Sequence, residues 1–281
     1  DSRAHAQNSA PGKPADATQG RGRDFIWRVT DAPAPFYLLG SMHALRGSDL
    51  PLSPEIDRVI RESKRVFFES EIQEEDLQTS KKMNDAIHYP RGVTLKQKVK
   101  PATYAYIQKS LNTRESEYYD VRPWAIAYFM LEAPGMKAFS SRLSVDRYIY
   151  QKATGRAQVS GLETTDELVR AVSAMTDAEN ESFLLQTIAY GERSPRLMID
   201  TIEAWKSGNA MRMYQLYVPR NNEPGGYWNW IEKRNAVWLS RIEEAIKSGK
   251  PTLVVAGALH FCGPNSIIAL LQKHGHKLEQ L

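Results

Sequence analysis

The chain of 281 residues predicts an α/β fold with α+β character. A small mixed or mostly parallel sheet is built from both chain ends, with a long helical insertion between them. Three observations predict it. Short β-rich runs stand near the start, in "FYLLGS" and "VFFES", and again near the end, in "TLVVAG". A helix-patterned segment separates the first two, the strand–helix–strand order of a parallel unit. The residues between the outer runs, about 74–150 and 165–248, carry helical spacing and helix breakers instead of alternation.

Taken in order, residues 1–23 are rich in Ala, Pro, Gly and Gln and begin at Asp1. With the Ala4-His5-Ala6 triplet they read as a disordered leader left after removal of a signal peptide or lipoprotein anchor. One domain is then expected over 24–281. "DFIWRVTD" and "APFYLLGS" read as a hairpin or as successive strands. In "LPLSPEIDRVIRESKRV", Ser53 is the N-cap and Pro54 the first helical residue, with Ile56, Val59 and Ile60 at helical spacing. "RVFFESEI" is a short strand ending in acid. "EEDLQTSKKMNDAIHY", "PATYAYIQKSL" and "RPWAIAYFMLEA" are helices broken by Pro90, Pro101 and Pro134. "SVDRYIYQKATG" is a helix closing at Gly155, and "RAQVSGLE" a strand. Five further helical runs lead from "TTDELVRAVSAM" to "GYWNWIEKRNAVWLSRIEEAIKSG". "PTLVVAGALHF" is a strand. "GPNSIIALLQKHG" is a helix with Pro264 early and Gly275 as its C-cap. "HKLEQL" closes as an edge strand.

Composition narrows the function. The 37 basic and 33 acidic residues are interspersed, so no phosphate-tracking stripe forms and no nucleic-acid partner is expected. Cys262 is the sole cysteine, which rules out an intramolecular disulfide. No apolar run reaches the roughly 18 residues of a membrane span. A membrane tether would therefore run through the removed N-terminus alone. Gly-x-Ser-x-Gly is absent, which argues against a serine hydrolase.

Ligands in open α/β sheets bind beyond the carboxyl ends of the strands. The strand 36–39 is followed by Gly40 and His43, and the strand 252–256 by Gly257 and His260. The strand 65–68 ends in Glu69, with Glu71 competing for the same place. The strand 157–161 ends in Glu163. Two imidazoles and carboxylates at strand ends are the chemistry of a divalent cation site. Imidazole with carboxylate and no thiolate tilts toward Mn²⁺, Fe²⁺ or Co²⁺ without excluding Zn²⁺. The glycines suit a backbone that turns sharply or lies under a ligand. Glu163 is either a second carboxylate of the site or the capping-box partner of the helix opening at Thr164. Arg234 and Asn235 fall on the inward stripe of Ile231, Trp238, Ile242 and Ala245. Arg234 either meets a substrate oxygen or oxyanion, or forms a structural Arg–Glu pair. Cys262 needs no role beyond that of a buried apolar thiol.

These segments resemble the TraB/GumN family, which includes the TIKI metalloproteases. The resemblance rests on "FYLLGSMHALRGSDLPLSPEIDRVIRESKRVFFESEI", "SVDRYIYQKATGRAQVSGLETTDELV" and "IEKRNAVWLSRIEEAIKSGKPTLVVAGALHFCGPNSIIALLQKHGHKLEQL". It implies an α/β core related in pattern to the erythromycin-esterase and ChaN folds. It also implies a Mn²⁺- or Co²⁺-type ion, with Fe²⁺ or Zn²⁺ as alternatives, held by His43, Glu69 and His260 for peptide-bond hydrolysis. Glu69, Glu163 and Arg234 are then the catalytic candidates, and Arg234 and Asn235 the substrate-binding candidates. The implied partner is a peptide or protein substrate. With the cropped start, the resemblance implies a periplasmic or secreted location. The alternative is a non-catalytic haem- or metal-binding protein, or a signalling-peptide-binding protein, of the same fold.

Overall fold

The computed structural model describes residues 23–70, 77–111, 114–131, 139–193, 195–219 and 225–281. Residues 1–22 of the expected leader, Glu71 and Pro134 lie outside the described residues. Six strands form one sheet: β1 (Ile26–Val29), β2 (Phe36–Ser41), β3 (Arg65–Ser70), β4 (Gln158–Glu163), β5 (Thr252–Gly257) and β6 (Leu278–Gln280). Their order is β4-β3-β5-β2-β1-β6. β2, β5, β3 and β4 are mutually parallel. β1 forms the predicted hairpin with β2, and β6 adds antiparallel to β1 at the edge.

β5, from near the end of the chain, lies between β2 and β3 from its first part. Its residues are buried on both faces, which is why "TLVVAG" reads as a continuous apolar run and not as alternation. Ser41 pairs with Gly257, and Ser70 with Glu163. The carboxyl ends of the four parallel strands are therefore level. The ladder runs one to two residues further than the apolar runs suggest, because Gly40, Ser41, Glu69 and Gly257 still pair or extend within it.

Helix α1 (Pro54–Glu62) follows β2. Ser53 caps it by accepting from the Glu55 N–H, and Ile56, Val59 and Ile60 are buried as the spacing predicts. The insertion carries α2 (Leu77–Ile87), α3 (Leu95–Lys98), α4 (Pro101–Ser110), α5 (Pro123–Leu131) and α6 (Val145–Ala153) before β4. After it come α7 (Thr165–Ser173), α8 (Asp177–Arg193), α9 (Arg196–Lys206), α10 (Ala210–Tyr217) and α11 (Gly226–Lys247). α12 (Ile267–Lys273) separates β5 from β6. Two local readings change. The one-turn α3, nucleated by a Thr94–Gln97 capping box, was not anticipated. α12 starts after Pro264, because the Ser266 side chain caps it through the Ala269 N–H. Gly275 has a φ of +94° just past the end of α12, a conformation suited to glycine.

Two apolar cores result. One packs on the sheet around Phe36, Leu38, Ile149, Trp238 and Val254. The other lies within the helical insertion, around Leu95, Ile107, Ile126 and Leu184. α11 contributes to both, Trp230 to the helical core and Trp238 to the sheet core. One continuous helix thus couples the insertion to the strands.

α7 begins with a capping box between Thr164 and Glu167, and Arg241 of α11 pairs with the same carboxylate. Arg241 and the Thr164 N–H hold the Glu167 carboxyl down from 4.5 to about 2. The stability this adds is present above the unfolded value and is lost as the pH falls from about 4.5 toward 2. The stability difference between wild type and Glu167→Gln is therefore expected to be largest above pH 5 and to shrink through pH 4–2 in denaturant titrations. A difference independent of pH contradicts this assignment.

Candidate active site

The level strand ends bring the separated motifs together. His43 follows β2, Glu69 lies near the end of β3, and His260 sits in a short 3-10 turn, Ala258–Phe261, directly after β5. His43 Nε2 and His260 Nε2 each stand 3.7 Å from Glu69 Oε1. The His260 side chain is 4% exposed, Glu69 17% and His43 66%. The cluster is thus walled by protein on the His260 side and open to solvent at His43.

Each imidazole is held from behind. Asn235 Oδ1 lies 2.6 Å from His260 Nδ1. The Asn235 amide nitrogen donates to the carbonyls of His260 and Asn265. Those two bonds assign the amide orientation and make Oδ1 an acceptor. His260 Nδ1 therefore carries the hydrogen, and Nε2 turns a lone pair toward Glu69. The Trp238 ring packs 4.6 Å from the His260 ring. His43 Nδ1 lies 2.9 Å from Asp146 Oδ2, which leaves Nε2 facing the same carboxylate oxygen.

The charges follow from these contacts. Burial pushes His260 down to about 3, against the pull of Glu69 and with the push of Arg234. His43 loses some hydration, but the Asp146 and Glu69 carboxylates outweigh that and hold it up at about 9. Burial disfavours the Glu69 carboxylate, yet Arg234 and His43, with the Gly257 N–H, keep it ionised far below the usual range. At neutral pH the cation-free cluster is therefore a protonated His43, an ionised Glu69 and a neutral His260.

Arg234 links the two glutamates. Its Nη1 donates to Glu69 Oε2 at 2.8 Å, and its Nε to Glu163 Oε1 at 3.1 Å. Trp238 Nε1 donates to the other Glu163 oxygen at 3.0 Å, and the guanidinium lies 4.3 Å from the Trp238 ring centroid. The geometry is thus the Arg–Glu pair, the alternative that left Arg234 a structural role. Glu163 is buried as a counter-ion to Arg234. It is not the capping partner of α7, because Glu167 fills that place. Asn235 requires a correction. It is 1% exposed and bonded on both sides of its amide, so it positions His260 and does not reach a substrate. Cys262 is buried, donates to the Ala258 carbonyl and has its thiol pKa raised by burial.

Sequence reasoning missed Asp146 and Ser41, which meet through a 2.7 Å hydrogen bond behind His43. The available signal was "SVDRY", a capped helix start with an acid in its first turn, but nothing local ties it to residue 43.

His43, Glu69 and His260 carry the donor types that divalent cations take. Among the described residues no group of three or more His, Cys, Asp or Glu side chains is placed to hold a metal ion. Two ligands about 2.1 Å from one ion lie roughly 3.0–3.6 Å apart for angles of about 90–120°. The two observed His–Glu separations of 3.7 Å lie just outside that range. Gly257 explains itself here. A Cβ at 257 would lie 2.8 Å from His43 Nε2 and 3.2 Å from Glu69 Oε1, inside the space between those side chains. At Gly40 the constraint is packing instead, because a Cβ would strike the Phe25 ring.

A parallel-sheet α/β protein whose strand ends converge on a His–Glu–His cluster is the class that these observations define. The chain belongs to the TraB/PrgY/gumN family, which matches residues 25–280. No curated protein and no solved structure gives a match.

The two histidines are expected to titrate in opposite directions from 6.5. In the cation-free protein, imidazole NMR signals of His43 should titrate near 9, and His260 should stay neutral to about 3. His43 then stabilises the fold below pH 6.5 and loses that effect as the pH rises through 9. His260 favours the fold above 6.5 and loses that effect as the pH falls below it. Titration of both near 6.5 contradicts the arrangement.

Proposed function

We propose that the protein is a metal-dependent hydrolase of the TIKI type, acting on an amide (peptide) bond. The observation that carries this reading is the convergence of His43, Glu69 and His260 at the strand ends, open to solvent on the His43 side. The cation is Mn²⁺ or Co²⁺ in first preference, with Fe²⁺ and Zn²⁺ also suited to the donors. His43 Nε2, His260 Nε2 and Glu69 Oε1 would hold it.

When bound, such an ion supplies Lewis acidity, polarising a carbonyl and acidifying a water toward about 7. The chain's own residues divide the remaining work. Glu69 acts as a ligand, because Arg234 occupies its second oxygen and stabilises its charge, which makes it a weak base. Arg234 and Glu163 keep Glu69 in place. Asn235 and Trp238 hold His260. The exposed side at His43 admits the substrate, a peptide or exposed protein segment.

A periplasmic or secreted location belongs to the same proposal. No helix among the described residues is long and apolar enough to cross a membrane. The haem-binding alternative is disfavoured by the narrow space: one carboxylate oxygen stands between the imidazoles, and a single methyl at 257 would crowd it. A peptide-binding protein without catalysis remains distinct in its behaviour, since it would bind peptide without a cation.

The test compares wild type with His43→Ala, both stripped and then reloaded with each candidate cation. Wild type is expected to hold about one cation per chain and to cleave members of a peptide library. His43→Ala is expected to lose both properties while retaining its circular dichroism spectrum, since His43 is mostly exposed. Peptidase activity that survives the substitution would overturn the assignment.

A further inference from the structure

The two imidazoles are supported in different ways. His260 is buried and backed by the neutral amide of Asn235. His43 is two-thirds exposed, sits in the loop after β2 and is backed by a carboxylate about a hundred residues away. An exposed imidazole on a loop rotates freely unless something fixes it, and that freedom opposes ligand binding.

The segment 140–146 supplies the fixation at three points. Ser140 and Leu45 exchange backbone hydrogen bonds, Ser140 N–H to Leu45 O at 2.9 Å and the reverse at 3.3 Å. The Val145 N–H donates to the Met42 carbonyl at 2.9 Å, while the Val145 side chain is fully buried. Asp146, in the first turn of α6, takes Ser41 Oγ on one oxygen and His43 Nδ1 on the other. The loop 42–45 is thus clasped on both sides of His43. Ser144 caps α6 through the Arg147 N–H, which fixes the turn that carries Asp146.

On the reading that His43 is a cation ligand, we infer that Asp146, locked by Ser41, is a positioning residue that aims His43 and sets its tautomer. The division of labour has a physical reason. A third buried carboxylate beside Glu69 and Glu163 would lack a positive partner and be destabilising. Behind His260 the support is therefore an amide. At the rim, where water reaches, a carboxylate is tolerated. It accepts the Nδ1 hydrogen and makes Nε2 the more basic donor.

The experiment measures affinity for Mn²⁺ and Zn²⁺ by competition with a chromophoric chelator, in wild type, Asp146→Asn, Asp146→Ala and Ser41→Ala. Asp146→Ala is expected to weaken binding about 10- to 100-fold. Asp146→Asn is expected to fall between it and wild type, since an amide oxygen still accepts the Nδ1 hydrogen. Ser41→Ala is expected to lose a few-fold. Cation-free circular dichroism spectra should match wild type, which separates positioning from a general loss of fold. Equal affinity in wild type and Asp146→Ala would overturn the inference. A second arm needs no cation: the imidazole Nδ1–H signal of His43 should be protected from exchange in wild type and lost in Asp146→Ala. If wild type binds no cation, the hydrolase reading fails and this arm alone decides whether Asp146 positions His43. An Nδ1–H signal unchanged by the substitution would then overturn the inference.

Discussion

The Glu69 carboxylate is the point on which the site is balanced. One oxygen accepts the Gly257 N–H at 2.7 Å and faces both imidazoles. The other is taken by Arg234. A carboxylate at the end of a parallel strand, largely removed from water, remains ionised only if positive charge or N–H donors surround it. Here they come from β5, α11 and the β2 loop, and each is needed because the others are already committed. Arg234 is in turn balanced by Glu163 and covered by Trp238. Removing one member of so enclosed an ion pair typically costs about 3–5 kcal/mol, because the survivor is left unpaired. The chain therefore builds its charge cluster as a closed set, with the solvent side left to His43.

Sheet register makes that set possible. β5 lies between β2 and β3, so the strand ends carrying His43, His260 and Glu69 are neighbours. A one-residue slip would turn Glu69 to the opposite face. The buried apolar residues of β5, paired through Ser41 and Gly257 with β2, resist such a slip. α11 adds the second constraint. Its Arg234, Asn235 and Trp238 all reach the cluster, while Trp230 anchors the same helix in the second core.

Much of this was legible in the sequence because it is local. The apolar runs, the Ser53–Pro54 helix start and the paired Gly-x-x-His declare strands, a cap and strand-end histidines within a few residues each. The inward stripe of α11 correctly placed Arg234 and Asn235 toward the strand ends. What they do there was not legible, since it depends on partners about 70 residues away for Arg234 and 25 for Asn235. Asp146 was hidden for the same reason. A charged residue in the first turn of a helix reads as an ordinary helix-dipole partner, and only the tertiary clasp of segment 140–146 on the β2 loop sets it behind His43. Gly40 and Gly257 look alike in sequence, yet one yields to the Phe25 ring and the other to the space between the His43 and Glu69 side chains.

The most direct measurement is a crystal structure of the protein soaked in Mn²⁺, with anomalous data collected to locate the ion. The account predicts one strong anomalous peak within bonding distance, about 2.0–2.3 Å, of His43 Nε2, His260 Nε2 and Glu69 Oε1, with Gly257 beneath it and solvent on the His43 side. A peak elsewhere, or none at these three atoms in a fully soaked crystal, would contradict the claim that the two Gly-x-x-His turns and Glu69 meet around a single cation.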